Sequence, residues 1–430
     1  MKAANVRLLV ADLNGQARGK RIVGKAAQTA LINGSKLPKS ALNLDIRGDD
    51  IESTRSVFAT GDADGQLRPT GRGPLPCPWL DSDAILQPCW MFEPAGDIFE
   101  GDPRHALNAV VSRLPGTAMV ATEVEFFLLD LDGIRPPPAP IGGLSSPYAD
   151  TLAMSRLDAF EPFFADVQTG AEAMGLELET FTAEAAPGQF EITLSPQEAM
   201  RAADDCWLTK LLIQGMARKH GFAASFAAKP YVDHSGSGLH MHCSMLGSDG
   251  QNLFDSRNPN GTEALHHAIG GCLAALPASM LIFAPHALSY ARLAPGAHAP
   301  TGVTWGNDNR TVALRIPASG PAARRLEHRV AGGDANPYLM IAVILGAMHL
   351  GLSQSVDPGD ATKGNAYDQD APQLPTTWPE ALQNFVDSTL IPQIFSPKLI
   401  ANFLAMKRQD QRLTSEMDEA ALRLLYLDKT

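Results

Sequence analysis

The stretch Ala121-Thr-Glu-Val-Glu-Phe-Phe-Leu-Leu129 places two carboxylates inside a run that otherwise has the composition of a buried β-strand. Side chains two apart in a strand share a face, so Glu123 and Glu125 point to one side while Val124 and Phe126 point to the other. Two bare carboxylates roughly 6–7 Å apart on such a strand would repel each other when buried, and each would tend to take up a proton. A bound divalent cation would relieve this repulsion, whereas a solvated edge strand would need none.

Three further segments repeat this pattern of polar, charged or imidazole groups two residues apart on an apolar background: Gln189 with Glu191, His240 with His242, and Arg325 with Glu327 and Arg329. Neighbouring strands with this pattern would present one polar face to a common cavity. The repetition favours a binding site over a solvated edge strand.

The composition indicates a globular protein with a large core. At 430 residues and 45% hydrophobic, the chain is long enough for two or more domains. A net charge of −12 argues against a nucleic-acid surface. The five cysteines have no Cys-x-x-Cys spacing, which predicts neither a zinc site nor a disulfide framework and favours a reducing cytoplasm.

Signals for export or membrane insertion are weak. The apolar run near Met1 is too short for a signal peptide, and the apolar stretch Leu339–Leu345 is too short to cross a bilayer. We therefore predict a cytoplasmic protein with no membrane span.

The N-terminal region reads as a small, mainly β module. Short apolar runs at 6–10 and 84–86 alternate with turns rich in Gly, Asp and Pro, and the basic stretch 14–21 fits a solvated hairpin. The change in character near residue 100 predicts a first domain over residues 1–100 and a second over 101–430.

The second region alternates helix and strand. Helices are predicted at 160–174 and at 204–220, the latter with Asp204 and Asp205 at its start, and each runs into a candidate strand. This rhythm is typical of an α/β or α+β catalytic domain.

Three other segments carry structural signals. Asn336-Pro337 begins an apolar helix, and the tail from Trp378 is helical by pattern. The loop at 136–146 either covers a site or is a surface excursion.

The polar residues fit a centre for divalent cations. Oxygen ligands with a minority of imidazole suit magnesium or manganese, and three ligands for each of two ions are available: Glu123, Glu125, Glu184, Glu191, His240 and Glu327. The surrounding arginines are suited to binding carboxylate and phosphate: Arg292, Arg310, Arg315, Arg325 and Arg329. Metal ions bound by carboxylates beside arginines are typical of enzymes that transfer phosphoryl groups.

In this order the motifs resemble those of the glutamine synthetase superfamily. They are Glu123-Val-Glu125-Phe-Phe-Leu, Glu184-Ala-Ala-Pro-Gly-Gln-Phe-Glu191, Lys229-Pro, Gly236-Ser-Gly-Leu-His240-Met-His242, Arg292-Leu-Ala-Pro-Gly, Asn309-Arg310 with Arg315-Ile-Pro, and Arg325-Leu-Glu327-His-Arg329 before Asn336-Pro-Tyr-Leu. The resemblance implies an α+β protein in which an N-terminal β-grasp domain precedes an α/β catalytic domain, whose curved antiparallel sheet forms the active-site funnel. It also implies a homo-oligomer of stacked rings, such as a dodecamer, with active sites between subunits.

The resemblance also implies roles for individual residues. Glu125, Glu184 and Glu191 would hold a first metal, and Glu123, His240 and Glu327 a second. ATP would contact His242, Ser244, Arg315 and Arg325. Glutamate would contact Gly236, Arg292, Arg310 and Arg329, and the residues expected to act in catalysis are Arg310, His298 and Arg329.

Two departures from the family pattern bear on the acceptor substrate. Ala297-His298-Ala299-Pro300 stands where ammonia-using members carry a glutamate, and Leu37-Pro38-Lys39-Ser40-Ala41 replaces an Asp-Gly-Ser-Ser motif. Both family motifs supply anionic contacts for ammonium. His298 is either a general base, since imidazole titrates near neutral pH, or a neutral wall residue.

The resemblance is to the γ-glutamylpolyamine synthetase branch, and it predicts an ATP-dependent ligase that joins glutamate to an organic amine, a polyamine or a monoamine. The alternatives are an ammonia-using glutamine synthetase, a ligase for another acid, and a catalytically silent ring-forming protein. The last would be expected to lose metal ligands, and all six candidate positions are intact.

Overall fold

The structure is a computed structural model that describes residues 5–53, 61–132, 141, 151–258 and 260–430. The predicted loop at 136–146 lies outside the described residues except for Ile141. The described chain forms two β-sheets and a set of helices, which is a mixed α and β architecture as predicted.

The first sheet is built from the N-terminal region. Its strands are β1 (Asn5–Ala11), β2 (Ala17–Val23), β3 (Ser35–Pro38), β4 (Asp64–Pro69), β5 (Leu75–Pro76) and β6 (Ile85–Phe92). They lie in the order β2-β1-β6-β4-β3, with β5 paired to β6 and with β1 and β6 parallel at the centre. The basic stretch 14–21 lies in the antiparallel β1–β2 hairpin, as predicted. Alternate residues Val6, Leu8 and Val10 are buried in this sheet's own core.

The second sheet carries the polar strands. Its strands are β7 (Thr117–Leu129), β8 (Leu178–Ala183), β9 (Gln189–Leu194), β10 (Gln197–Glu198), β11 (Ala223–Ser225), β12 (Leu239–Leu246), β13 (Trp305–Asn307), β14 (Leu314–Ile316) and β15 (Leu326–His328). The order is β13-β14-β15-β12-β7-β9-β8, and apart from the parallel β13–β14 pair the neighbours are antiparallel. The strands with paired polar residues are therefore neighbours, as the repeated pattern predicted.

Helices cover the apolar side of this sheet and extend beyond it. Their bounds are α1 (Lys25–Asn33), α2 (Pro103–Val111), α3 (Met154–Ala159), α4 (Glu161–Met174), α5 (Ala199–Lys219), α6 (Glu263–Phe283), α7 (Pro337–Gln354), α8 (Trp378–Asp387), α9 (Ile391–Ile394), α10 (Pro397–Ser415) and α11 (Glu419–Lys429). One large core joins α2 to α10 to this sheet and includes Val124 and Phe126 on the side of β7 opposite Glu123. Helix α1 packs in the core of the first sheet, and α11 packs in a smaller third cluster.

Several predicted helix boundaries are confirmed. Helix α4 ends at Met174, and Gly175 follows in the left-handed conformation at φ 62°, which glycine adopts without steric cost. The Asn336 side chain accepts hydrogen bonds from the backbone of Tyr338 and Leu339, with Pro337 in the first helical position. Helices α8 to α11 occupy the tail, as its pattern predicted.

The predicted start of α5 is wrong. The helix begins at Ala199, so Asp204 and Asp205 lie inside it rather than at its N-terminus. Asp204 pairs with Arg104 at 2.9 Å, and Asp205 pairs with Arg72 at 2.6 Å. These long-range ion pairs explain why two aspartates are tolerated within a buried helix.

Helix α6 was not predicted. It is apolar on all sides and has no amphipathic stripe that would mark it in the sequence. By length and composition α6 and α7 could each cross a membrane, but 72% of the apolar window of each is buried inside the protein. Both occupy the positions of core helices.

The two sheets are joined by hydrogen bonds at the β1–β2 turn. Asn336 Nδ2 donates to the carbonyls of Asp12 at 2.9 Å and Leu13 at 3.3 Å, and Trp207 Nε1 donates to the carbonyl of Gly15 at 2.8 Å. The division at residue 100 stays a prediction.

Candidate active site

The polar face of the second sheet borders a cavity of about 1190 Å³. Strands β7, β9 and β12 contribute most of its carboxylates and imidazoles, whereas the other lining residues, the arginines among them, lie mainly outside the strands. The predicted site residues that line it are Glu123, Glu125, Glu184, Glu191, Gly236, His240, His242, Ser244, Arg292, His298, Arg310, Arg325 and Arg329. Period-two patterning thus brings residues far apart in the chain around one volume.

Glu123 lies between two imidazoles. His240 Nδ1 donates to one carboxylate oxygen at 2.9 Å, and His242 Nε2 donates to the other at 2.8 Å. Burial works to raise the pKa of Glu123, but these hydrogen bonds outweigh it and hold the pKa well below its ordinary value. Glu123 is therefore an anion held in place from both sides.

Glu125 faces the loop that precedes β12. Its Oε2 accepts hydrogen bonds from the backbone of Gly238 at 2.9 Å and from Gln189 Nε2 at 3.2 Å. A Cβ at Gly238 would lie 2.6 Å from Arg292 Nη2, and a Cβ at Gly236 would lie 2.2 Å from the carbonyl of Ala228. The close approach of the Ala228 backbone therefore requires glycine at Gly236, whereas a Cβ at Gly238 would displace the Arg292 guanidinium.

Two carboxylates in the cavity are poorly compensated. Burial, with the charges of Glu125 and Glu123, raises the pKa of Glu184 to about 7. Burial, with the charges of Glu123, Glu125 and Glu184, raises the pKa of Glu191 to about 9. A cluster of buried carboxylates that resists ionisation is chemically suited to a divalent cation, so the donor set fits magnesium or manganese.

Glu327 is bound by arginines. Its Oε2 accepts from Arg315 Nη1 at 2.9 Å, and its Oε1 accepts from Arg329 Nη1. Burial works to raise the pKa of Glu327, but Arg329 and then His242 and His240 outweigh it and hold the pKa below its ordinary value. Arg315 and Glu327 lie in register on β14 and β15, next to His242 on β12.

The ligand atoms group differently from the predicted division into two metal sites. Within the described residues, one cluster joins Glu123, Glu191 and His240, and a second joins Glu123, His242 and Glu327, with the atoms of each within 4.8 Å of one another. Glu123 belongs to both clusters. Which ligand serves which ion stays a prediction.

The arginines occupy distinct positions. Arg292 is buried and donates to the carbonyls of Val330 at 2.9 Å and Arg329 at 3.5 Å. Arg325 Nε donates to His242 Nδ1 at 3.1 Å, so His242 connects Arg325 to Glu123. Arg310 lies near enough to Glu184 to lower its pKa, against the dominant effect of burial.

The two departures from the family pattern lie in different places. Ala297 and His298 line the cavity, His298 with an exposed side chain and a left-handed backbone at φ 55°. Leu37–Ala41 lies in β3 and the following 3-10 helix, and it is not among the described residues that line the cavity.

Sequence reasoning missed part of the cavity wall. Glu179, Thr180 and Thr182 on β8 also line it, and β8 has a bulge at Glu179 that interrupts the alternation. Gln189 was noted as polar but not as a site residue, yet it donates to Glu125 and to the carbonyl of Gly236 at 3.0 Å. The alternation of Gln189 with Glu191 was the signal for its inward position.

Comparisons with known proteins agree with this geometry. The γ-glutamylputrescine synthetase PuuA of Escherichia coli strain K12 is 33% identical over 427 residues, covering 96% of this chain and 90% of that protein. The γ-glutamylethanolamide synthetase GlnA4 of Streptomyces coelicolor is 30% identical over 410 residues, covering 94% and 88%.

Among solved structures, the complex named GmaS/ADP superposes with a TM-score of 0.85 at 26% identity, covering 98% of this chain and 96% of that one. The family description "Glutamine synthetase, catalytic domain" matches residues 100–423. That match includes every strand of the second sheet and all the cavity residues described above. The chain is therefore a ligase of the glutamine synthetase family.

Proposed function

We propose that this protein is an ATP-dependent ligase that joins the γ-carboxylate of glutamate to an organic amine through a γ-glutamyl phosphate. The convergence of six candidate metal ligands and five arginines on or beside one cavity, whose acceptor side carries His298 in place of an acid, is the observation that carries the proposal. Two relatives with matching length are named as synthetases of γ-glutamyl amides of organic amines, which supports the same acceptor class.

The cation site would be formed by the glutamates and His240. Two or more magnesium or manganese ions there would neutralise charge on the nucleotide phosphates and orient the carboxylate. Before they bind, the high pKa of Glu191 means that a proton must leave the cluster. The chain's own part is to hold these donors in place, which it does through the hydrogen bonds of His240 and His242 to Glu123.

Different arginines would bind the two substrates, ATP and glutamate. Arg325 beside His242 and Arg315 beside Glu327 are assigned to the nucleotide, with Ser244 on the same strand as His242. Arg292 and Arg329, together with the Gly236 backbone, are assigned to glutamate, and Arg310 to the transferred phosphoryl group. Preorganised guanidinium groups would stabilise the charge that develops during phosphoryl transfer.

His298 would accept the proton that the amine nitrogen loses when it attacks the acyl carbon and displaces phosphate. It is exposed within the cavity, so an amine can reach it. A neutral imidazole carries a ring nitrogen that can act as a general base. The small side chain of Ala297, which lines the cavity, would leave room for an alkyl substituent that ammonia lacks.

Assembly and location belong to the same proposal. We assign the N-terminal sheet to a β-grasp domain, because two parallel central strands flanked by antiparallel neighbours and one helix form that arrangement. The family relationship supports a ring-shaped homo-oligomer. The five free cysteines support a reducing compartment such as the cytoplasm.

The test is phosphate release from ATP with magnesium and glutamate, comparing ammonia with monoamines, diamines and polyamines. Turnover restricted to organic amines is expected and would rank the acceptors. Efficient turnover with ammonia would favour the ordinary glutamine synthetase. No release with any amine would redirect the search to another acid or to the silent ring-forming alternative.

A further inference from the structure

The segment that carries His298 has an unusual backbone. It is called the acceptor loop here and comprises residues 294–301, which follow the 3-10 helix Ala287–Arg292. His298 adopts φ 55°, a conformation that costs free energy for residues other than glycine. Its neighbour Ala299 is only 1% exposed. The loop therefore holds a strained, specific shape that some contact must maintain.

Tyr367 makes such a contact from a distant part of the chain. Its hydroxyl donates to the carbonyl of Ala299 at 3.0 Å. Burial raises the pKa of that hydroxyl, and the backbone N–H of His298 is among the groups that work to lower it. The side chain is half-buried. One hydroxyl thus meets the two residues whose conformation places the imidazole in the cavity.

The position of Tyr367 relates it to the substrate side of the cavity. The positive charges of Arg329 and Arg292 lie close enough to influence its hydroxyl. Both arginines line the cavity and both are buried. Through Ala299, the contact with Tyr367 therefore ties the acceptor loop to a side chain that lies close to these two arginines.

Tyr367 is itself held firmly. Its segment, residues 362–374, is tied by three backbone groups to residues 301–311, which begin with the last residue of the acceptor loop. Thr362 N donates to the carbonyl of Trp305 at 2.8 Å, Ala366 N donates to Thr311 Oγ1 at 2.9 Å, and Leu374 N donates to the carbonyl of Thr301 at 2.8 Å. Asn309 Nδ2 donates to the carbonyl of Gly364 at 2.7 Å. A fixed tyrosine can restrain a loop that lacks regular secondary structure.

We propose that Tyr367 is a positioning residue that latches the acceptor loop over the cavity and so keeps water from the activated carboxylate. The inference rests on the proposed function. An acyl phosphate can lose its phosphate to water as well as to an amine. In that side reaction water adds to the acyl carbon, the carbon–oxygen bond to phosphate breaks, and glutamate, inorganic phosphate and one proton are released.

The expected effect of losing the latch is uncoupling. Removing one hydrogen bond of ordinary strength increases the open fraction of the loop by about fivefold. Amide formation per phosphate released should then fall in Y367F by a comparable factor at subsaturating amine, while phosphate release continues. The KM for the amine should rise more than kcat changes.

The matched control is Y338F. Like Tyr367, Tyr338 donates one hydrogen bond through its hydroxyl, here to Asp204 Oδ1 at 2.8 Å. It is buried and is not among the described residues that line the cavity. Its loss should lower thermal stability without changing the ratio of amide to phosphate. Equal uncoupling in both variants would overturn the specific role of Tyr367.

Hydrogen exchange needs no substrate, so it tests whether Tyr367 restrains the acceptor loop independently of the proposed function. Hydrogen exchange of the backbone amides at 297–299 should be faster in Y367F than in the wild type and unchanged in Y338F. Unchanged exchange there, or an unchanged ratio of amide to phosphate, would overturn the latch. If the wild type ligates no amine, the proposed function fails, and the exchange experiment still decides whether Tyr367 restrains the loop.

Discussion

The sheet face and the acceptor loop contribute to one cavity but are built in different ways. On the sheet, Glu123 faces His240, and Glu125 faces Glu191, through the regular register of antiparallel strands. In the loop, His298 reaches the cavity through a left-handed backbone and a contact with Tyr367. The first arrangement follows from local alternation, and the second depends on residues far away in the chain.

We expect the two regions to serve different steps of the reaction. The sheet side holds charge through groups that support one another, as the two imidazoles do for Glu123. The acceptor loop is held by few contacts, so substitutions in it should leave the carboxylates on the sheet undisturbed. Loss of a cavity-facing carboxylate on the sheet should therefore abolish phosphoryl transfer, and variants on the loop should change what happens to the activated acid.

The largest effect is expected for E123Q. This change removes the anion shared by both ligand clusters and replaces one of its two acceptor oxygens with an NH2 group, so one of His240 and His242 loses its acceptor. Loss of several kcal/mol of charge stabilisation corresponds to a decrease in kcat/KM on the order of a thousandfold. Phosphate release titrated with magnesium would measure it.

The matched control for this variant is E198Q, since Glu198 lies on β10 of the same sheet but is exposed and is not among the cavity-lining residues. Its activity should equal that of the wild type. Comparable losses in both variants would mean that a general disturbance of the sheet, rather than ligand loss, lowers activity.

A smaller effect is expected for H298A. If the imidazole is the general base, kcat should fall by about a hundredfold, the lower end for such a group, with little change in the KM of the amine. The pH profile of kcat should lose one limb in the variant. A rise in KM alone would assign His298 to the wall of the acceptor pocket.

Magnesium affinity should depend on pH through the crowded carboxylates. The pKa values of Glu184 and Glu191 are raised to about 7 and about 9, so both are protonated at acidic pH and must release protons to bind a cation. Affinity should rise with pH by about tenfold per unit for each proton released, until pH exceeds the higher pKa. Calorimetric titration with magnesium alone would measure this, and E191Q should flatten the dependence.

The same pKa shifts affect the metal-free protein in the opposite direction. A carboxyl group whose folded-state pKa is raised binds more protons in the folded than in the unfolded chain between its two pKa values. Stability without metal should therefore decline as pH rises from about 4.5 towards 9, and E191Q should reduce that decline. A melting temperature that rises over this range would contradict the assigned shifts.

The smallest effect is expected for Y426F on α11. The Tyr426 hydroxyl accepts a hydrogen bond from the backbone of Ala287 at 3.2 Å, at the start of the 3-10 helix that ends in Arg292. Loss of this bond should raise the KM for glutamate by up to about fivefold with kcat nearly unchanged. Y338F again serves as the control, and equal KM values in both variants would exclude a role for α11 in positioning Arg292.

Local pattern was enough to predict the sheet face. Glu123, Glu191 and His240 could be placed in one cavity because side-chain direction in a strand has a period of two, whatever the rest of the fold. The capped start of α7 at Asn336 and Pro337 was equally local. The family resemblance, confirmed by the match over residues 100–423, supplied the roles that pattern alone could not.

Features that depend on distant contacts were not visible. Asp204 and Asp205 look like residues of a helix N-terminus until their partners Arg104 and Arg72 are known. Helix α6 is apolar on every side, so no stripe marks it. Nothing near Tyr367 in the sequence indicates that its hydroxyl meets Ala299, which is 68 residues away in the chain.

The Asn336 amide has a consequence for folding. Its oxygen caps α7, while its nitrogen holds the turn of the N-terminal hairpin through Asp12 and Leu13. Detachment of the first sheet would leave that nitrogen without its acceptors and expose the start of a buried helix. The two cores should therefore melt together in a single cooperative transition, even though each has its own hydrophobic cluster.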